Sequence, residues 1–380
     1  MGTKKMTRKQ MREERKRKLR KRRRKRMIVV VLELIILAAL SVVAYGMFKL
    51  DKMEQTTLDE KKLDIYKDTG DYTNIALFGL DSREGELEGG VQSDCMMIAS
   101  IDNNTNEVKL VSVYRDTLLQ QKDGGYGKAN SAYTKGGPEE AIALMNRNLD
   151  LDIKKYVSVN FNALADVVDA LGGIDLDMTE EEVYWTNGYC TETSKVVGRK
   201  TTVLSGAGTH HVDGIQAVSY ARIRYTSGDD FKRTERQRII LEKVMQKAKE
   251  AKLSTLNKIL DEVLPQVSTN LTLANLMGMA ANAVNYELGE MSGFPFTVTA
   301  SEKIKKHKGS YVVPVGLAKN VSELHQFLFG EESYTPSENV QTINDEIIYL
   351  SGVDPATFKE GVDVSYRENE KEDSDKEEEE

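Results

Sequence analysis

Hydrophobic positions along this chain change rhythm three times. Across residues 27–48 they run almost unbroken, with Glu33 as the charged exception, long enough for one helix to cross a hydrocarbon core of about 30 Å. The next apolar stretches are short. Residues 74–80 and 96–101 read as buried strands, and 108–113 alternates apolar and polar positions as a third. Asp102-Asn103-Asn104-Thr105-Asn106, between the second and third, has the composition of a turn. Pro138 opens a helix over 138–148, residues 156–159 return as a strand, and a helix over 162–171 stops at Gly172-Gly173. Residues 174–178 predict one more strand. The stretch 180–209 is polar, shows no clear period and is assigned no element.

Asp213 caps a short helix over 214–220, residues 222–225 read as extended, and Asp229 or Asp230 caps the long helix that follows. Helices over 255–264 and 271–284, a strand over 310–315 and a helix over 321–329 complete the pattern. After about Asp354 the chain turns acidic and ends in four glutamates.

The order of the first three strands has a geometric consequence. The link from Asp81 to Asp94 is polar, contains glycine and has no helical period, so the strands it joins need no crossover helix and run antiparallel. Asp81 at the end of one and Asp94 at the start of the next then share one edge of the sheet. The Asn-rich turn reverses the chain again and delivers Tyr114-Arg115-Asp116 to that edge.

Charge divides the chain as sharply as hydropathy does. Of the formal net charge of −7 over 380 residues, residues 1–26 carry +14 and the remainder −21. A basic block against the apolar run places residue 1 inside and everything beyond residue 48 outside. A cleaved secretory signal would have a shorter apolar core, about 7 to 15 residues. The sequence therefore predicts a single-pass protein of the cell membrane with a cytoplasmic N-terminus and an extracellular body. Its expected organisation is a basic segment over 1–26, a transmembrane helix over 27–48, a polar stalk over 49–72, one folded domain over 73–335, and an extension over 336–380 with a disordered acidic tail. Anionic lipid and topology account for the basic segment, so no nucleic-acid partner is expected. Cys95 and Cys190 would lie where a disulfide is permitted, but Cys95 opens an apolar run that favours a buried thiol. His210 and His211 are adjacent and His307 and His325 isolated, a spacing that suits no metal site.

Three charged groups lie where a core has no use for them. Asp81 and Asp94 converge with Arg83 and Arg115, and carboxylates aided by a substrate phosphate are the usual holders of Mg²⁺. Arg222 and Arg224, two apart on an extended segment, point to one side. Their bland reading is a solvated face paired with Asp229, Asp230 or Glu235. On the following helix Arg233, Arg236 and Gln237 share the face that Ile240 and Val244 should bury, beside a helix N-terminus that disfavours cations. A bound anion resolves that conflict, and arginine's planar donors suit phosphate.

These residues carry a resemblance. Asn74-Ile75-Ala76-Leu77-Phe78-Gly79-Leu80-Asp81-Ser82-Arg83, Ser93-Asp94, Ser112-Val113-Tyr114-Arg115-Asp116, Lys128-Ala129-Asn130-Ser131-Ala132-Tyr133, Asp169-Ala170-Leu171-Gly172-Gly173-Ile174-Asp175, Arg222-Ile223-Arg224 and Phe231-Lys232-Arg233 through Gln237 resemble, in order, the motifs of the LytR-CpsA-Psr family. The resemblance implies an α/β fold, an α/β/α sandwich with a central mixed sheet behind one N-terminal transmembrane helix. It also implies a transferase that moves a polyprenyl-pyrophosphate-linked glycopolymer, such as teichoic acid or capsule, onto a peptidoglycan acceptor. Carried over by motif, Asp81 and Asp94 are the ligands of Mg²⁺, with Mn²⁺ as an alternative. Arg83 and Arg115 join them in catalysis, and Arg83, Arg115, Arg222, Arg224, Arg233 and Gln237 bind the pyrophosphate. The lipid needs an apolar tunnel, for which Phe161, Leu164, Val168, Leu276, Met277 and Met279 are candidates. The family's Arg-Ser-Asp-Thr reads Gln92-Ser93-Asp94-Cys95 here, which removes one cation, and its Pro before Arg-Asp is Tyr114. Competing readings are a pyrophosphatase acting on the same carrier and a non-catalytic regulatory protein of the cell envelope.

Overall fold

The computed structural model describes residues 53–80, 90–225, 229–282 and 285–358. The expected basic segment, the transmembrane helix over 27–48, Asp81, Arg83 and the acidic tail from residue 359 lie outside them. Among the described residues no helix is long and apolar enough to cross a membrane.

The strands, in chain order, are β1 (Glu54–Gln55), β2 (Tyr72–Leu80), β3 (Ser93–Asp102), β4 (Glu107–Val113), β5 (Leu118–Gln120), β6 (Tyr126–Lys128), β7 (Lys155–Asn160), β8 (Ile174–Met178), β9 (Gly208–Val212), β10 (Val267–Thr269), β11 (Glu287–Phe294), β12 (Val298–Ser301) and β13 (Tyr311–Pro314). The helices are α1 (Ser131–Leu149), α2 (Phe161–Ala170), α3 (Glu180–Val197), α4 (Gly214–Ala221), α5 (Asp229–Glu250), α6 (Leu253–Val263), α7 (Leu273–Asn282), α8 (Leu317–Phe329) and α9 (Glu338–Ser351). Seven strands form one sheet in the order β1-β10-β7-β2-β3-β4-β11. It is mixed. β3 runs antiparallel to both neighbours, as the loop-only link and the Asn-rich turn require, while β2 with β7 and β4 with β11 are parallel.

Alternation along the strands sorts their side chains onto two faces. Ala76, Phe78 and Leu80 of β2, with Met96 and Ile98 of β3, pack with residues of α1, α8 and α9 in one buried core. Ile75, with Ala99 and Ile101, belongs to a second cluster that Leu77, Val157 and Leu241 of α5 border. A third cluster lies among α2, α3, α4, α5 and the antiparallel pair β8–β9, around Val168, Ile174, Tyr220 and Ile240. Helices therefore flank the sheet on both sides.

Several expected boundaries move. Residues 53–72 are part of the body and not a stalk: Leu63 is fully buried in the main core, and its carbonyl accepts a 2.7 Å hydrogen bond from Asn146. The packing also ignores the boundary expected at 335, because Val340, Ile343, Ile347 and Leu350 of α9 belong to that same core. The unassigned stretch 180–209 contains α3, opened by a capping box in which Thr179 and Glu182 bond each other's backbone and closed by Gly198 in the left-handed region. Pro138 does start a helical segment, the second half of α1, after Gly136 and Gly137 leave helical geometry.

Gly214, at the first position of α4, lets that helix approach α2 closely. A Cβ there would fall inside the carbonyl of Ala165 on α2, while the Gly214 N–H donates to Asp169 at 2.6 Å. Gly214→Ala should push α4 off α2 and cost about 1–3 kcal/mol, read as a lower midpoint in a urea unfolding curve with an unchanged slope.

Candidate functional site

The ends of four strands and the start of a fifth meet at one edge of the sheet. Leu80, the last residue of β2, pairs with Ser93 at the start of β3 and with Asn160 at the end of β7. β4 ends alongside at Val113, and the next N–H, that of Tyr114, donates to the Phe294 carbonyl at 3.0 Å where β11 ends. Ligands of open α/β sheets bind outside the carboxyl ends of such strands.

Asp94 is the focus of that edge. Its Oδ1 accepts from Arg115 Nη1 at 2.7 Å, its Oδ2 from Arg224 Nη2 at 2.8 Å, and Arg233 Nη1 lies 4.0 Å from Oδ2. Arg115 comes from the segment after β4, Arg224 from the segment after α4 and Arg233 from the second turn of α5. The side chain of Asp94 is 13 % exposed and that of Arg233 only 2 %. Burial pushes the Asp94 pKa upward, but Arg233, Arg115 and Arg224 together outweigh it and hold the carboxyl below its usual range. Asp94 is thus ionised and accepts only. Asp116 steadies Arg115 from behind at 3.7 Å and is itself paired with Lys128 at 3.1 Å.

Arg222 does not join this focus. It is the C-terminal cap of α4 with helical backbone angles, so residues 222–225 are not an extended run and its side chain takes another course from that of Arg224. Its guanidinium lies over the Phe161 ring at 4.9 Å and the Tyr189 ring at 5.5 Å, and it donates to Thr193 at 3.1 Å and Glu192 at 3.2 Å. Tyr189 links the two groups. Burial and then Tyr225 push its hydroxyl pKa up, while Arg224, Arg222 and Arg233 pull it the other way.

Beneath Asp94 an apolar cavity of about 280 Å³ runs between the sheet and α2, α4 and α5. Asp94 and Gln237 line it beside Leu77, Met97, Val159, Phe161, Leu164, Val218, Ala221, Ile240 and Val244. Leu77, Val159, Phe161, Leu164 and Val244 remain partly exposed although they sit within an apolar layer. Walls of this kind, apolar with a few polar groups at one end, suit a ligand with an apolar body and a polar head. Phe161 and Leu164 of the expected tunnel residues are in its wall. Val168, one turn beyond Leu164, is fully buried in the cluster with Ile174 and Tyr220. Met279 packs beside Ile75 and Ala99, Met277 is 42 % exposed, and Leu276 on the same helix is half-buried away from the cavity wall.

Cys95 also lines the cavity, and burial pushes its thiol up to about 12. It is a neutral wall and not a nucleophile at ordinary pH. Both cysteines are free.

α3 brings residues that the sequence did not single out. Glu182, held by its capping box, accepts from Arg236 at 2.9 Å and diverts that buried arginine from the anion site into the packing of α5 on α3. Tyr189, Glu192 and Thr193 follow on the same helix. The signal that would have found them is Thr179-Glu180-Glu181-Glu182, a capping sequence with acids in the first helical turn.

Comparison with known proteins gives the chain's family. The chain is 25 % identical over 328 residues to the polyisoprenyl-teichoic acid–peptidoglycan teichoic acid transferase TagV of Bacillus subtilis (strain 168), covering 81 % of this chain and 80 % of that protein. It is 29 % identical over 321 residues to Biofilm regulatory protein A of Streptococcus mutans, covering 76 % of each. Protein gbs0355 from Streptococcus agalactiae shares the fold with a TM-score of 0.56 and 25 % identity, over 70 % of this chain and 91 % of that one. The LytR_cpsA_psr family model matches residues 40–325. The match spans most of the described body, and the chain belongs to the LytR-CpsA-Psr family.

Proposed function

We propose that this protein is a phosphotransferase that moves an anionic glycopolymer, of teichoic acid or capsular type, from a polyprenyl-pyrophosphate carrier to peptidoglycan. The observation that carries the reading is the placement of Arg115, Arg224 and Arg233 around Asp94 at the wall of an apolar cavity. A diphosphate attached to a hydrocarbon chain needs those two surroundings side by side. The TagV relative, whose name states this transfer, supports it. Residues 27–48 are proposed to anchor the protein in the cell membrane with the folded body outside.

In the proposed step an acceptor hydroxyl oxygen of peptidoglycan attacks the sugar-side phosphorus. The bond from that phosphorus to the bridging oxygen breaks, the leaving polyprenyl phosphate keeps the electron pair, and the hydroxyl proton passes to solvent. Negative charge grows on the phosphoryl oxygens and the bridge, where fixed guanidiniums cost no reorganisation. Arg224, 35 % exposed, and Arg115 are the donors this site can present to a phosphate, with Asp94 fixing their planes. Gln237 adds an amide at the cavity wall.

A divalent cation fits the donor set as well. Asp94 is ionised and each of its oxygens keeps lone-pair capacity beyond one guanidinium, and Mg²⁺ is held by one or two carboxylates plus phosphate oxygens. Asp94, with Asp81 as the proposed second ligand, would hold Mg²⁺, which supplies further neutralisation of the diphosphate.

Incubating the full-length protein with a polyprenyl-pyrophosphate glycan and peptidoglycan oligomers tests the reading by mass spectrometry. Transfer gives a glycan joined through phosphate to the oligomer; free phosphosugar alone would make the protein a pyrophosphatase and overturn it. Arg224→Ala should lower the transfer rate about 10²–10³-fold. Its melting temperature should fall only modestly, because Arg115 and Arg233 remain beside Asp94 and the Arg224 side chain is itself 35 % exposed.

A further inference from the structure

α3 and the segment after α4 build a contiguous aromatic surface beside the arginines that the phosphate chemistry does not explain. Tyr184 meets Trp185 edge-on at 5.1 Å, Trp185 lies 4.7 Å from Tyr225, and Tyr225 stacks on Tyr189 at 6.3 Å with 23° between the rings. Trp185 and Tyr189 are four residues apart and so share one face of α3. The surface is open to solvent: Tyr184 is 69 % exposed and Tyr225 45 %. Trp185 and Tyr189 rest against the core cluster around Tyr220 and Ile240 and are half-buried, while Tyr184 and Tyr225 stand in solvent, and a contiguous aromatic set that reaches solvent in this way marks a binding surface.

Its position indicates the ligand. One end is fixed by Arg222, whose guanidinium covers both Tyr189 and the cavity-wall residue Phe161. Tyr225 follows Arg224, which holds Asp94 at 2.8 Å. The aromatic row therefore begins where the cavity and the anion site meet and extends toward solvent. A carrier whose lipid occupies the cavity and whose diphosphate lies at the arginines must send its first sugar outward from that point. A pyranose presents an apolar C–H face and a polar hydroxyl rim, and Tyr and Trp offer rigid amphipathic faces at small entropic cost.

We propose that Tyr184, Trp185, Tyr189 and Tyr225 form the stacking platform for the pyranose joined to the carrier pyrophosphate. The inference rests on the phosphotransferase reading and adds to it the residues that recognise the sugar. Arginine sets where the diphosphate sits, and the platform discriminates carriers that bear a sugar from those that do not.

Trp185 is the single tryptophan of the chain, so its emission reports on the platform alone. The test titrates the full-length protein in detergent with three probes: polyprenyl pyrophosphate without sugar, the same lipid bearing one N-acetylhexosamine, and a peptidoglycan disaccharide. The sugar-bearing lipid should bind about tenfold more tightly than the bare lipid and shift Trp185 emission in a way the bare lipid does not. Tyr184→Ala and Tyr225→Ala should erase that tenfold difference, Tyr225→Phe should keep it, and all three should bind bare lipid as wild type does. Equal affinities for the two lipids in wild type, with the same Trp185 response, would overturn the platform while leaving the phosphotransferase reading intact. A shift with the disaccharide but not with the sugar-bearing lipid would also overturn it, by assigning the surface to the acceptor. Binding of neither lipid would overturn the phosphotransferase reading and the platform with it.

Discussion

Asp94→Asn should lose transfer activity by at least about 10³-fold and lose stability with it. Asp94 answers Arg115, Arg224 and the 2 %-exposed Arg233 at once. Removing one member of a buried charged set costs about 3 kcal/mol or more, here read as a lower melting temperature at pH 7. The activity loss follows from the same contacts, since guanidiniums without their common carboxylate lose the orientation that catalysis uses.

The pH dependence has a definite sign. The folded pKa of Asp94 is depressed, so its stabilisation is complete above the unfolded carboxylate value of about 3.9 and disappears as pH falls through the lower folded value. Wild type and Asp94→Asn should therefore differ most at neutral pH and converge below pH 4. Unfolding curves for both proteins from pH 7 to pH 2.5 check this, and a constant gap across the range would refute it.

Ala221→Phe should separate binding of the lipid from stability of the fold. Ala221 ends α4, is 7 % exposed and lines the apolar cavity. A phenyl ring there has about 280 Å³ to enter, so it should fill space without the strain of overpacking, and filled cavities recover lost contacts. The melting temperature should hold or rise. A polyprenyl chain would find its place taken, and affinity for the lipid-linked substrate should fall about 100-fold in equilibrium titration. A short-chain pyrophosphate analogue should lose far less.

The sheet was legible because its signals are local. The polar link after Leu80 and the Asn-rich turn sufficed to make β2, β3 and β4 antiparallel and to bring Asp94 and Arg115 to one edge. α3 was hidden for a physical reason: its buried positions include Thr186, Cys190 and Thr193 beside Val183, so the inward face carries little hydrophobic contrast. Arg222 and Arg224 were expected on one side because two residues of an extended run face alike. The last turn of α4 continues into Arg222 and removes that symmetry. Arg233 and Arg236 share a helical face, yet only Arg233 reaches Asp94, since Glu182 from the unrecognised α3 holds Arg236. Leu164 and Val168 have the same helical spacing, and what separates a cavity wall from packed core is which neighbour faces each of them. That information lies in tertiary contacts and not in the period.

The most direct test of the account is a crystal structure of the full-length protein in detergent with polyprenyl pyrophosphate bound. The account predicts phosphate oxygens within hydrogen-bonding distance of Arg115 and Arg224, and isoprene density passing Leu77, Phe161 and Leu164 into the cavity. Phosphates seated away from Asp94, or a lipid chain lying outside an empty cavity, would contradict it.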